Sequence, residues 1–205
     1  MLEWMLIGVG FTGALTLVFA ARGLGRRLGL VASFGTYFSP KGGCTDAIVK
    51  MVESSRREIL MQAYSFSCPT IAAALVKARA RGVKVQILLD RANEKETYSE
   101  LGALEQQGLE VLIDAHHAIA HNKIIVIDRH TVITGSFNFT RQAELENAEN
   151  LLIIQGHPDI VKAYLQNFEK HREHAQAPGT ALAHPVRVHT PATHPSLAEV
   201  KTQAA

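Results

Sequence analysis

His121-Asn122-Lys123-Ile124-Ile125-Val126-Ile127-Asp128-Arg129-His130-Thr131-Val132-Ile133-Thr134-Gly135-Ser136-Phe137-Asn138 is the stretch on which the reading of this chain turns. Ile124 to Ile127 and Val132 to Thr134 are apolar runs too short for helices, and a tight connection around Arg129-His130 joins them as two strands. Polar residues flank both runs. Side chains two apart on a strand face the same way, about 6.6 Å along the chain. His121 therefore pairs with Lys123, and Ser136 with Asn138, at neighbouring strand ends. An imidazole can attack phosphorus or donate a proton, an ammonium supplies fixed positive charge, and a hydroxyl and an amide can hydrogen-bond non-bridging oxygens. Gly135 permits a close backbone or ligand approach that a side chain would block.

Outward from this stretch, helical periods and apolar runs alternate. Ala47, Ile48, Met51 and Val52 recur at helical spacing after Gly42-Gly43; Ile59 to Met61, continuing through Ala63 to Phe66, reads as a buried strand. Pro69 opens a helix that Gly82 ends, and Val83 to Leu89 reads as an interior strand. A charged helix is expected from Glu94 to Gln107, then strands at Leu109 to Ile113 and Leu151 to Ile154, and a last amphipathic helix from Ile160 to Phe168. The order βαβαβ followed by strand pairs predicts an α/β sandwich in which helices flank a mixed β-sheet.

The 205 residues are 47% hydrophobic and 20% charged, which suits one globular domain and excludes collagen-like, coiled-coil and wholly disordered chains. Between Tyr37 and Arg172, 16 Lys/Arg face 16 Asp/Glu, so no broad basic surface awaits a polyanion and any phosphate must be held locally. Three parts are expected: an N-terminal segment over 1–27, a catalytic domain over 37–172, and a flexible tail over 173–205. The tail holds Pro178, Pro185, Pro191 and Pro195, and its histidines, His174 among them, are read as chemically idle. Trp4 to Ala21 is an uncharged run of 18 residues, about 27 Å as a helix. With Glu3 before it and Arg22, Arg26 and Arg27 after it, the run is expected to anchor the chain in a membrane, with the domain on the cytoplasmic side. Cleavage after Val18-Phe19-Ala20, and a secreted or periplasmic protein, is the alternative. Cys44 and Cys68 are expected to be buried thiols, with one bridge as the alternative if the domain is exported.

The pattern H-x-K-x4-D-x6-G-S-x-N, complete in HNKIIVIDRHTVITGSFN, resembles the signature of the phospholipase D superfamily. The element order from Tyr37 to Arg172 resembles the small bacterial nucleases that carry this motif once, and also the membrane-anchored mitochondrial members. The resemblance implies that His121 is the nucleophile forming a phosphohistidine, that Lys123 and Asn138 bind phosphate, that Ser136 hydrogen-bonds in the site, and that no metal or other cofactor is needed. It implies a structural role for Asp128, and for Glu149 a role in orienting the histidine.

Double displacement at phosphorus needs one neutral imidazole to attack and one protonated imidazole to donate. One motif supplies one such histidine, so a two-fold homodimer with a shared active site is expected. A rival reading takes His116, His117 and His121 as metal ligands, but no acidic third ligand sits at helical spacing. Arg141 is either a phosphate contact or a solvated surface residue. A nucleic acid is the expected substrate, with phosphatidyl lipid hydrolysed at a membrane as the alternative, because both present the same phosphodiester to the same groups.

Overall fold

The computed structural model describes residues 32–180. The segment 1–27 and the tail beyond 180, with the expected anchor, its cleavage site and most tail histidines, lie outside the described residues. No helix among the described residues is long and apolar enough to cross a membrane.

The described residues form nine strands: β1 (Ser33–Phe38), β2 (Glu58–Ala63), β3 (Phe66–Ser67), β4 (Lys84–Asp90), β5 (Glu110–Asp114), β6 (Lys123–Ile127), β7 (Thr131–Gly135), β8 (Phe139–Thr140) and β9 (Asn150–Gln155). The helices are α1 (Cys44–Ser54), α2 (Pro69–Ala80), α3 (Leu101–Gln106), α4 (Arg141–Leu145) and α5 (Pro158–His174). Seven strands make one sheet in the order β1-β9-β7-β6-β2-β4-β5, while β3 and β8 pair separately. β2, β4 and β5 run parallel, as right-handed crossovers through helices require, the other pairs of the seven-stranded sheet are antiparallel, and β3 and β8 pair parallel.

The two faces of the sheet are covered differently. Ile48 and Val52 of α1, Ile71, Leu75 and Ala78 of α2, and Leu104 of α3 pack with Ile59, Met61, Ile87, Leu89, Ile125 and Ile133 on one face. On the other face, Val161 and Phe168 of α5 cover Leu60, Leu88, Val126, Val132 and Ile154. Alternate residues of β2 and β6 thus enter opposite cores, which explains why these strands read as continuous apolar runs. The expected mixed sheet flanked by helices is the fold observed. Cys44 and Cys68 are buried and free, and burial beside Glu144 pushes the Cys44 thiol up to about 11.

The structure differs from the sequence reading in four places. The charged helix expected over 94–107 is a 3-10 turn at Arg91–Glu94 followed by the short α3. Thr97-Tyr98-Ser99 interrupts it: the Ser99 hydroxyl accepts from Leu101 N at 3.3 Å and donates to Asn93 Oδ1, a local bonding pattern that competes with helix. β1 was not foreseen; it is an edge strand of alternating half-buried and exposed residues, with Phe34 and Phe38 outward. The last helix is longer than expected, running from Pro158 to His174. Finally, Glu173 to Thr180 is not loose tail. Gln176 exchanges backbone bonds with Ile113, 2.7 Å and 3.0 Å, adding an isolated bridge beyond α5.

The β6–β7 hairpin is closed by Asp128 and Arg129, both at φ 53, with His130 N donating to Ile127 O at 3.0 Å. Two consecutive left-handed residues make a turn whose twist matches that of the strands. The Asp128 carboxylate accepts from the backbone N–H groups of Arg56, Arg57 and Glu58 at 2.9, 2.7 and 3.0 Å, fastening this turn to the start of β2. Removing it leaves three donors dependent on water. Asp128→Ala should cost about 2–3 kcal/mol and lower the melting temperature by roughly 5–10 °C, measured by circular dichroism, while folded protein keeps its catalytic rate. A fully folded but inactive variant would instead put this carboxylate in the chemistry.

Candidate active site

Apart from Asp128 in the β6–β7 turn, the motif residues lie at one end of the central strands. Lys123 is the first residue of β6 and pairs with Ala63, the last of β2; Gly135 is the last residue of β7 and pairs with Leu151 of β9. His121 is exposed just before β6, and Ser136 and Asn138 follow β7, so all four polar groups sit at or just beyond strand ends.

Lys123 is buried, yet its Nζ donates to the His121 carbonyl at 2.9 Å and lies 4.9 Å from the Tyr64 ring centroid. Burial lowers its pKa below the ordinary lysine value, and the nearby negative charge of Glu149 opposes that shift. The aromatic ring of Tyr64 also packs against the His121 imidazole, centroids 4.5 Å apart. One tyrosine therefore touches both the candidate nucleophile and the fixed cation. Tyr64 was not foreseen; the sequence signal was an aromatic at the end of an apolar strand run. Asn93 holds it in place, its amide donating to Tyr64 O at 2.7 Å while its Oδ1 accepts from Phe66 N.

Gly135 has φ 150, and a Cβ there would lie 2.2 Å from the Asn150 carbonyl oxygen. The close approach is thus to the chain's own backbone. It lets Ser136 N and Phe137 N both donate to Asn150 O, and the Ser136 hydroxyl accept from Asn150 N at 3.0 Å. Asn138 keeps a buried Oδ1 with no partner, an amide with bonding capacity to spare. A half-turn of this amide presents its NH₂ group, a donor suited to a phosphoryl oxygen.

Glu149 is placed by Ser39: Ser39 N donates to Glu149 O at 3.0 Å, and Glu149 N donates to the Ser39 hydroxyl at 3.2 Å. Its carboxylate accepts from Asn147 Nδ2 at 3.0 Å. Among the described residues no hydrogen bond joins Glu149 to His121, so the carboxylate reaches the site here through its charge on Lys123. Arg141 is exposed at the first position of α4. Two clefts flank the Tyr64–His121 pair. One, about 320 Å³, is lined by His121, Lys123, Thr134, Gly135, Tyr164 and Asn167. The other, about 520 Å³, is lined by Tyr64, Asp90, Arg91, Ala118, Ile119 and Gln176.

The rival metal reading is corrected by the structure. His116, His117 and His121 do not converge as a set; His117 instead joins Asp114, His171 and His174, ligand atoms all within 4.8 Å of one another. An acidic partner does exist, three residues before His117, and His174 is not an idle tail residue. Sequence spacing missed this group because half of it comes from α5, more than fifty residues away.

A protein-family profile described as cardiolipin synthase, PLD-like domain, matches residues 48–172. A phospholipase D from Rickettsia prowazekii is 47% identical over 137 residues, 67% of this chain and 66% of that one, so the match spans just under two thirds of that relative's length. A mitochondrial cardiolipin hydrolase of Xenopus tropicalis is 37% identical over 116 residues, 57% of this chain and 55% of that one. The crystal structure of NUC, a phospholipase D family member from Salmonella typhimurium, superposes with a TM-score of 0.68 at 32% identity, covering 71% of this chain and 97% of that one. With the fold, the motif at its strand ends and a profile match across most of the domain in agreement, the chain belongs to the phospholipase D superfamily of phosphodiesterases.

Proposed function

We propose that the protein is a metal-independent phosphodiester hydrolase working through a phosphohistidine on His121. The observation that carries this reading is the grouping of an exposed His121, a buried Lys123 cation 2.9 Å from its carbonyl, and Asn138 with an unpartnered buried amide oxygen. The His121 imidazole attacks phosphorus, a P–N bond forms and the bond to the leaving alcohol breaks. A second, protonated histidine gives that alcohol its proton. The same histidine, now neutral, then takes a proton from water as water attacks phosphorus, and the P–N bond breaks to release a phosphomonoester. Lys123, Ser136 and Asn138 stabilise the charge that builds on the non-bridging oxygens. The second histidine is His121 of another copy, and the working unit is a two-fold dimer with Glu149 of each chain beside the shared cleft.

For the substrate, the relatives shift the order set by sequence alone. A phosphatidyl lipid comes first: the relative at 47% identity is named a phospholipase D, the domain between Tyr37 and Arg172 is electrically neutral, and Ile119 stands 58% exposed on the rim of one cleft. A polyanion gains its affinity from surplus positive charge, which this domain lacks. Nucleic acid is the second reading, supported by the likeness to NUC across 97% of that chain and to the small single-motif nucleases. Trp4 to Ala21 would hold the enzyme at a membrane with the domain on the cytoplasmic side.

Full-length protein in detergent, assayed well below its melting temperature in excess chelator, should hydrolyse phosphatidyl lipid in mixed micelles to phosphatidic acid. Hydrolysis of single-stranded DNA, duplex DNA or RNA but not lipid would install the second reading. Loss of all hydrolysis in chelator, with rescue by a divalent ion, would sink the phosphohistidine mechanism.

His121→Ala should abolish turnover and Lys123→Ala should lower kcat roughly 10²-fold or more. Mixed wild-type and His121→Ala subunits should lose activity as the square of the wild-type fraction, since hybrids cannot complete the cycle. A linear dependence would mean that each chain carries its own acid.

For the anchor, the protein should stay with membranes through carbonate extraction. A mature protein beginning near Ala21 by mass spectrometry would establish export instead.

A further inference from the structure

A second chemical centre lies at the end of β5. Asp114 is the last residue of that strand and its carboxylate is buried, 3% exposed, beneath three imidazoles. His171 Nδ1 lies 2.5 Å from Asp114 Oδ2, His117 Nδ1 is 3.2 Å from both carboxylate oxygens, and His174 Nε2 is 3.3 Å from Oδ1. His171 and His174 are three apart in the last turn of α5 and so share a helix face. Asp114 and His117 are likewise three apart, at the head of the loop that leads to His121.

Hydrogen bonding alone leaves this arrangement incomplete. His174 Nε2 is buried and makes no hydrogen bond, although it lies beside a carboxylate. Three imidazoles and one carboxylate each offer a ligand atom here, and these four atoms all lie within 4.8 Å of one another. Three neutral imidazoles and one carboxylate form a complete tetrahedral N/O set for Zn²⁺. The surroundings suit a cation as well. The α5 C-terminus presents the negative end of its helix dipole. His116 N donates to Asp114 Oδ1 at 3.2 Å, and the His116 ring packs 4.6 Å from that of His174, contacts that orient ligands from outside. His117 is 42% exposed, which gives an ion a way in from solvent.

We propose that Asp114, His117, His171 and His174 bind one zinc ion, which staples the loop before the nucleophile to the end of α5. Four protein ligands leave no open position for substrate or reactive water, so the ion is structural. Its effect on the active site is mechanical. The loop from Ala115 to Ala120 is held at its far end by Asp90 Oδ2, which accepts from Ala120 N at 2.7 Å. The zinc fixes the near end, so both ends of the segment leading to His121 are tied down. The site is distinct from the phosphodiester chemistry, which draws on none of these four side chains.

The test uses the full-length protein without a polyhistidine tag, in detergent, stripped with chelator, reloaded with Zn²⁺ and desalted. Atomic absorption should give about one zinc per chain, retained in His121→Ala and lost in His174→Gln and in His171→Ala. Co²⁺ in place of Zn²⁺ should give the intense visible d–d bands of a tetrahedral site in wild type and in His121→Ala, and not in His174→Gln or His171→Ala. Zinc should raise the wild-type melting temperature by several degrees and leave that of His174→Gln unmoved. Substoichiometric zinc in the wild type would overturn the proposal and leave an Asp–His hydrogen-bond network. Full zinc retention by His174→Gln and His171→Ala would also overturn it by placing the ion elsewhere. Chelated protein that melts lower yet still hydrolyses substrate in the cold would support this site and the metal-free chemistry together.

Discussion

Strand β6 is hydrogen-bonded to β2 on one side and β7 on the other, and all five of its residues are buried. Its register decides everything at the active end of the sheet. Because strand side chains alternate, a slip of one residue would move Ile125 and Ile127 out of the core beneath α1 and α2 and into the one beneath α5. It would also turn Lys123 away from Tyr64. Asp128 guards against that slip from the opposite end, because its carboxylate can meet three consecutive backbone donors of the β2 entry in only one register. A residue about five positions from the chemistry thus determines where the chemistry happens.

The electrostatics at the strand ends follow from that placement. An ammonium taken out of water is unfavourable, and Lys123 is compensated by a backbone carbonyl, an aromatic face and the field of Glu149. Such compensation is partial, so the ammonium keeps the capacity to pair with a further anion. At Asp114 the opposite arrangement holds: burial pushes the carboxyl up, and hydrogen bonds from His171 and His117 outweigh it and hold the carboxyl below its usual range. A buried positive centre and a buried negative one therefore stand on either side of the same short loop.

Much of this was legible in the sequence because it is local. The apolar runs from Ile124 to Ile127 and from Val132 to Thr134 are strands, Pro69 does open a helix, and Lys123 begins β6 where Gly135 ends β7. The motif spacing could be read because hairpin geometry converts it directly into distance. What escaped was brought together by tertiary structure. Tyr64 meets His121 across paired strands, and His171 and His174 reach Asp114 only once α5 has packed on the sheet. Glu94 to Gln107 read as one helix because its charge pattern is helical, whereas the Ser99 hydroxyl redirects the backbone. Ser33 to Phe38 carried too weak an alternation to be read as strand without its partner β9.

That partnership also orders events in time. The β6–β7 hairpin and the crossovers through α1 and α2 close short loops, whereas β1 must find β9 across a separation of about 110 residues, as between Ser39 and Glu149. Contacts that close loops of this length form after local ones. Glu149 receives its backbone partners from Ser39, so its placement depends on the longest-range closure in the sheet. A chain that has already formed its hairpin and helices still lacks the hydrogen bonds that place Glu149, and the position of this carboxylate becomes a report that the first strand has docked.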